Sequence, residues 1–278
     1  MGCWCSWGNG LLGKWVIGSG EEVDMVPIFP TPHYRMSPST LPMKRHVQSE
    51  LLDTLPPGDP RAIRSRRDLR RLNVLMGNVE SLASVLRTRF DSRAPGRVAD
   101  LGAGDGTAML RLARQLSGRW RNVEVVLVDR QAIVSANTCR RFEALSWTAR
   151  PVQADVFDWL AEPSSSNVDL MTANLFLHHF DNPTLARLAR LAAERTNLFV
   201  ACEPRRGRVA LRASRVLWLI GCNPITRHDA TISVRAGFCG KELSALWPRN
   251  GGWRLEENAV GLFSHRLVAQ RLTSLLLK

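Results

Sequence analysis

The chain is poor in lysine. Only Lys14, Lys44, Lys241 and Lys278 are lysines among 38 basic residues, and the rest are arginines. The arginines run along the whole length, with a denser stretch at RAIRSRRDLRRL, residues 61–72. The formal charge of +13 therefore reflects a compositional bias. Net charge supports statements about non-specific attraction, not about fold or chemistry. A basic stripe is only the first sign of a nucleic-acid partner, and we expect none. Long apolar runs are missing too. A bilayer span needs about 20 residues, and the best candidate, VLWLIGC from Val216, is too short and reads as a buried helix turn. The six cysteines (Cys3, Cys5, Cys139, Cys202, Cys222, Cys239) offer no C-x-x-C pair past the N-terminus and no disulfide framework. We expect no metal site and a reducing, cytoplasmic setting. No internal repeat is visible.

What is present fits a globular protein, with 45% apolar residues in 278. Residues 1–42 are rich in glycine and proline and lack periodicity, so they read as a poorly structured extension. MGCWCS matches the pattern for N-terminal acylation, with Cys3 and Cys5 as further lipid sites. The motif is short, and we expect no membrane anchor from it. Residues 43–93 read as a helical cap. After LPPGDP, Pro60 can open a helix with Arg64, Arg67 and Arg71 outside and Leu69, Leu72, Leu75 and Met76 inside. A second helix follows from Val79 to about Phe90.

From residue 94 to 278 strands and helices alternate. RVADL, VEVVLVD, a short piece at Ala149–Val152, VDLMTAN and TNLFVACEP read as strands. TAMLRLARQL, RQAIVSANTCRRFEAL and NPTLARLARLAAER read as helices between them. NPITRHDATISVRAGF reads as a loop region, and WRLEENAV and LFSHRLVAQ as closing antiparallel strands around Gly261. This alternation argues an α/β domain, with a mostly parallel sheet covered by helices on both faces.

The first strand runs into a glycine turn, VADLGAGDGT, residues 98–107. Gly102, Gly104 and Gly106 are spaced G-x-G-x-G, not the G-x-G-x-x-G of a dinucleotide site. Asp100, two residues before the first glycine, would repel a pyrophosphate and suits a ligand with a positive end. At close range such a pair is worth roughly 4 kcal/mol at an intermediate dielectric. Asp129 ends the second strand, where a carboxylate can accept from both ribose hydroxyls. Asp155 follows the third and can accept from an adenine amino group. Taken singly, Asp100 could be a buried structural acid and Asp129 a helix cap. Their placement on consecutive strand ends favours a ligand.

These segments resemble the class I S-adenosylmethionine-dependent methyltransferase family. The likeness covers about Arg97 to Leu275. VADLGAGDGT resembles the first motif, VLVDR the ribose-binding loop, ADVF the adenine segment, and VDLMTANLFLHHF the fourth-strand motif. The resemblance implies a Rossmann-like seven-stranded sheet and S-adenosylmethionine as cofactor. It implies that Asp100, Gly102, Gly104, Asp129, Arg130, Asp155, Val156 and Asn174 hold that cofactor.

The fourth-strand motif also narrows the acceptor. It lacks the Pro-Pro-aromatic sequence of amino-group methylases acting on adenine, and no cysteine follows a proline as in cytosine methylases. The apolar run resembles enzymes acting on small molecules such as phenols, quinones and polyketides, so O-methylation is the expected chemistry; the alternatives are an RNA or protein methyltransferase, which the charge of +13 would suit, and a non-catalytic cofactor-binding protein. Histidine is the natural base near neutral pH. His178 and His179 follow the fourth strand, with one of the two expected to face the site. His228, beside Asp229 in the region expected to build the acceptor wall, is the third candidate and the one preferred here. Asp229 or Glu203 could orient an imidazole. His265 reads as structural.

Overall fold

Where the chain is apolar in short runs it forms strands, and where apolar residues recur every three or four it forms helices. The computed structural model describes residues 43–90, 94–162, 167–250 and 252–272. The expectation of an unstructured or acylated extension at 1–42 lies outside them.

Residues 43–50 are irregular and lead into α1 (Leu51–Thr54). In α2 (Pro60–Met76), Asp59 caps the first turn by accepting from the Arg61 N–H, and Pro60 takes the first position, where its missing N–H costs nothing. Gly77, left-handed at φ 69°, ends α2 and passes the chain directly into α3 (Asn78–Arg89). α3 is less a cap than part of the core: Leu82, Ala83 and Leu86 are buried with Met109, Leu112 and Leu116.

The α/β region follows as β1 (Arg97–Leu101), α4 (Thr107–Leu116), β2 (Val123–Asp129), α5 (Ala136–Glu143), β3 (Trp147–Gln153), α6 (Val156–Ala161), β4 (Val168–Asn174), α7 (Asn182–Arg195) and β5 (Thr196–Pro204). Then come α8 (Arg208–Arg215), α9 (Pro224–Ala236), α10 (Glu242–Leu246), β6 (Trp253–Val260) and β7 (Ser264–Arg271). One sheet holds the strands in the order β3-β2-β1-β4-β5-β7-β6. The first five run parallel, and β7 enters antiparallel between β5 and β6. Two buried clusters, one per face, cover it. β1, β4 and β5 are buried along nearly their whole length, as strands covered on both faces must be.

Four expectations fail in detail. The leucine face expected inside α2 is not its buried face, which is Ala62, Ser65 and Asp68, and Leu75 is 66% exposed. The region around His228 is helix α9, not loop, because Asn223 caps it and Pro224 starts it. The helix expected over RQAIVSANTCRRFEAL is only α5, since Ser135 accepts from the Thr138 N–H and starts the helix late. VLWLIGC is not a buried helix turn: Leu217–Ile220 forms a 3-10 turn, with Trp218 57%, Leu219 65% and Ile220 51% exposed, and only Cys222 is buried.

Candidate active site

The strand order reverses between β1 and β4, so the chain leaves these neighbours in opposite directions and opens a crevice at their carboxyl ends. A cavity of about 1180 Å³ occupies that crevice. A small-molecule pocket is typically roughly 300–1,000 Å³, so this one has room for a nucleoside-sized ligand and a second molecule beside it.

The glycine turn forms one end. Gly102 and Ala103 donate their N–H groups to the Val128 carbonyl at 2.9 and 3.1 Å, which ties the turn to β2. Gly102 has φ 68°, and a Cβ there would meet the Phe176 ring at 2.1 Å, so only glycine fits. Gly104, at φ 56°, faces open space. Asp129 accepts from the Gly104 N–H and the Gln131 N–H, both at 2.8 Å, and holds the turn from the β2 side. Asp155 accepts from the Phe157 N–H at 2.8 Å and caps α6. Its capping role and a place on the cavity wall are thus combined.

Asp100 is 4% exposed, and its Oδ1 accepts from the Thr172 hydroxyl at 2.7 Å. Burial pushes its carboxyl up to about 7, with the Asp129 charge adding to the rise and the Thr172 hydrogen bond opposing it. A carboxylate so reluctant to ionise is stabilised by a cationic neighbour. Asn174 ends β4 on the same wall, and its buried Oδ1 has no hydrogen-bond partner. Such an acceptor, left orphaned, costs free energy until a donor arrives. A ligand with both a positive group and N–H or O–H donors fits these residues. Leu175, next in the chain, is held at φ 54°, a strained conformation for a branched side chain and one that clusters at functional sites.

Beyond Leu175 the chain makes a 3-10 turn at Leu177–His179. Glu203, fully buried at the end of β5, organises it. Its carboxylate accepts from the N–H groups of Phe176, Leu177 and His178 at 3.0, 2.9 and 3.3 Å. It also lies 2.8 Å from His178 Nδ1, while Glu50 lies 3.2 Å from His178 Nε2. Burial opposes a charge on His178, but the two carboxylates outweigh it and raise its pKa to about 9. Glu50 is pushed down to about 2: burial raises it, and the hydrogen bond and charge of His178 win. His178 is therefore a cation clamped between two anions.

His179 is different. Its ring lies against that of His178, tilted by 33° at a centroid distance of 4.3 Å, and its Nδ1 lies 3.4 Å from Asp53 Oδ2. Burial, then the neighbouring His178 charge, lowers its pKa below the ordinary value and keeps it neutral. Glu50, His178 and His179 present ligand atoms within 4.8 Å of one another, a spacing that a metal ion could also use. Both nitrogens of His178 are already engaged by carboxylates, and a proton accounts for the cluster.

Every residue expected to hold a cofactor lines this cavity, Arg130 and Val156 included, and so do His178 and His179. His228 does not. α9 does contribute to the wall, through Ala230, Ser233 and Val234, but His228 is half-exposed elsewhere on the helix. It pairs with Asp229 at 3.0 Å, whose carboxylate is spent on the Leu51 and Leu52 N–H groups. Glu50 and Asp53 were not foreseen, since each is a single acid in a stretch that was read only as the start of a helical cap, whereas residues 43–50 are irregular. His265 lies 2.7 Å from buried Glu257, remote from the cavity lining.

A family model described as a methyltransferase domain matches residues 98–196, the span from β1 to the start of β5. Over those residues the chain is similar to a methyltransferase domain. Solved structures show the same fold. The plantazolicin methyltransferase BpumL, solved with S-adenosylhomocysteine, is 12% identical with a TM-score of 0.55, covering 77% of this chain and 92% of its own. An O-methyltransferase family protein from Burkholderia thailandensis is 16% identical with a TM-score of 0.53, covering 78% and 61%. The pyocyanin biosynthetic protein PhzM is 19% identical with a TM-score of 0.50, covering 77% and 60%. No curated protein sequence matches significantly.

Proposed function

We propose that this methyltransferase O-methylates a small apolar acceptor bearing a phenol- or quinol-type hydroxyl, with His179 as the general base. The carrying observation is the neutral His179 on the wall of a cavity that is also lined by apolar side chains. Leu69, Leu72, Leu75 and Met76 of α2 line it, together with Ala213 and Leu217 and with the polar Arg66, Arg70 and Asn73. The lining also includes Asp100, Gly104, Asp129, Asp155 and Asn174, the residues that would hold S-adenosylmethionine. When bound, the cofactor supplies an electrophilic methyl group. Asp129 and Asp155 would accept from its hydroxyl and amino groups, and Asp100 would face its positive end. Asn174 Oδ1 supports the same reading, as a buried acceptor in need of a donor.

His179 would take the acceptor's hydroxyl proton on a neutral ring nitrogen. The acceptor oxygen, relieved of its proton by His179, would be the nucleophile toward the methyl group that the cofactor supplies. Cationic His178 favours the neutral form of His179 beforehand, and Asp53 stabilises the imidazolium afterwards. His178 cannot play this part, since it already holds its proton. Alignment in a dry cavity supplies much of the remaining rate enhancement. The test is incubation with methyl-labelled S-adenosylmethionine and a panel of phenols, quinols, RNA and protein extracts, read by mass spectrometry. Label on a small apolar hydroxyl, lost in His179→Gln, supports the reading; label on RNA or protein contradicts it.

A further inference from the structure

Exposed apolar side chains scattered singly mean little. Here they concentrate. Val209 on α8, Val216 after it, and Trp218, Leu219 and Ile220 on the following 3-10 turn are all exposed, between 46% and 65%. They lie within one short segment of chain. α8 itself is sharply two-sided, with Ala210 and Ser214 buried and Arg208, Arg212 and Arg215 exposed. From Pro204 to His228 the chain holds six arginines and no acidic residue. Among the described residues, Arg208, Arg212 and Arg215 make no ion pair. The side of the turn facing inward bears on the cavity: Leu217, Ala210 and Ala213 line it, as does Leu75 of α2, itself 66% exposed.

We infer that the α8 surface and the Trp218–Ile220 tip form a peripheral docking face for an anionic lipid bilayer. Tryptophan and aliphatic side chains enter the boundary between headgroups and acyl chains, and arginines beside them meet anionic headgroups. Among the described residues no helix is long and apolar enough to cross a membrane, so the contact is peripheral. Pairing of two copies through this face would bring like-charged arginines together. RNA would be met by one tryptophan set among aliphatic groups, a poor stacking platform. A bilayer satisfies both the charge and the apolar tip. Docked this way, the cavity-lining Ala210, Ala213 and Leu217 belong to the membrane-facing segment, and, on the proposed function, a lipid-soluble acceptor would enter there.

Co-sedimentation of the full chain with vesicles tests this. It needs neither acceptor nor cofactor, so its outcome is independent of the methylation reading. Binding is expected to vesicles of phosphatidylcholine with phosphatidylglycerol, weaker binding to phosphatidylcholine alone, and a decline with salt. Combined Trp218→Ser, Leu219→Ser and Ile220→Ser replaces side chains outside the cavity lining and should lower vesicle affinity at least about tenfold. Arg208→Gln, Arg212→Gln and Arg215→Gln should each cost about fivefold on anionic vesicles only. The circular dichroism spectrum and urea midpoint of each variant should equal those of the parent and report that it is folded. Equal sedimentation of parent and variants overturns the inference. So does patch-dependent dimerisation without vesicle binding, or patch-dependent RNA retention in its place.

Discussion

The clamp on His178 makes a pH-dependent statement about stability. His178 is wholly buried, and its pKa is raised to about 9 by Glu203 and Glu50 against the cost of burial. An unfolded histidine titrates near 6.5. A raised folded pKa means that the native state holds the proton more tightly. The stabilisation is therefore complete below about pH 6.5 and is lost as pH rises through about 9. A separation of about 2.5 units corresponds to roughly 3 kcal/mol. Glu203→Gln keeps the size and one accepting oxygen but removes the charge nearer to His178. At pH 6.5 the variant should be less stable by about 1.5–3 kcal/mol, the worth of hydrogen bonds to charged groups. Its alkaline loss should be clearly shallower than the parent's, because only Glu50 still holds the proton. Cys202, whose thiol burial raises to about 12, adds its own loss only toward the top of this range and does so in both proteins. The assay is urea unfolding at a series of pH values from 6 to 9.5. Parent stability that is flat across that window, or two parallel curves, would refute the reasoning.

His179→Gln should lower kcat by about a hundredfold to ten-thousandfold and leave S-adenosylhomocysteine affinity unchanged. In the parent, kcat/KM should rise with pH through a value below the ordinary histidine pKa of about 6.5; a midpoint above it would count against His179 as base. His228→Ala should leave both turnover and stability within about 0.5 kcal/mol of the parent, as for an exposed side chain outside the cavity. Gly102→Ala should destabilise by several kcal/mol, because its Cβ would sit 2.1 Å from Phe176 at a left-handed dihedral. Gly104→Ala, with open space around it, should cost only about 1–2 kcal/mol for the dihedral. Denaturant midpoints on the pair measure the difference.

Much of the fold was legible because its signals are local. β1, β2, β4 and β5 are short apolar runs bounded by turn residues, and each was read within a residue of its observed ends. The three carboxylates and the glycine turn were legible for the same reason, since a strand end is marked by where the apolar run stops. α9 was missed because its buried face mixes polar Thr226 and Asp229 with Ile232 and Ala236, so its apolar stripe is short. VLWLIGC was misread because hydrophobicity signals burial only on average, and this turn spends its apolar side chains on solvent. The partners of His178 lie 25 and 128 residues away in sequence. Glu203 could be suspected from its strand end, whereas Glu50 arrives on an irregular segment that only tertiary packing brings to the site.

The central claim is that the glycine turn between β1 and α4 holds a methyl donor and not a dinucleotide. Isothermal titration calorimetry of the purified chain with S-adenosylhomocysteine and with NAD tests it directly. The account requires that S-adenosylhomocysteine bind, that Asp129→Ala weaken it by roughly 1.5–3 kcal/mol, and that NAD give no heat of binding. Tight NAD binding, or S-adenosylhomocysteine affinity indifferent to Asp129, would contradict it.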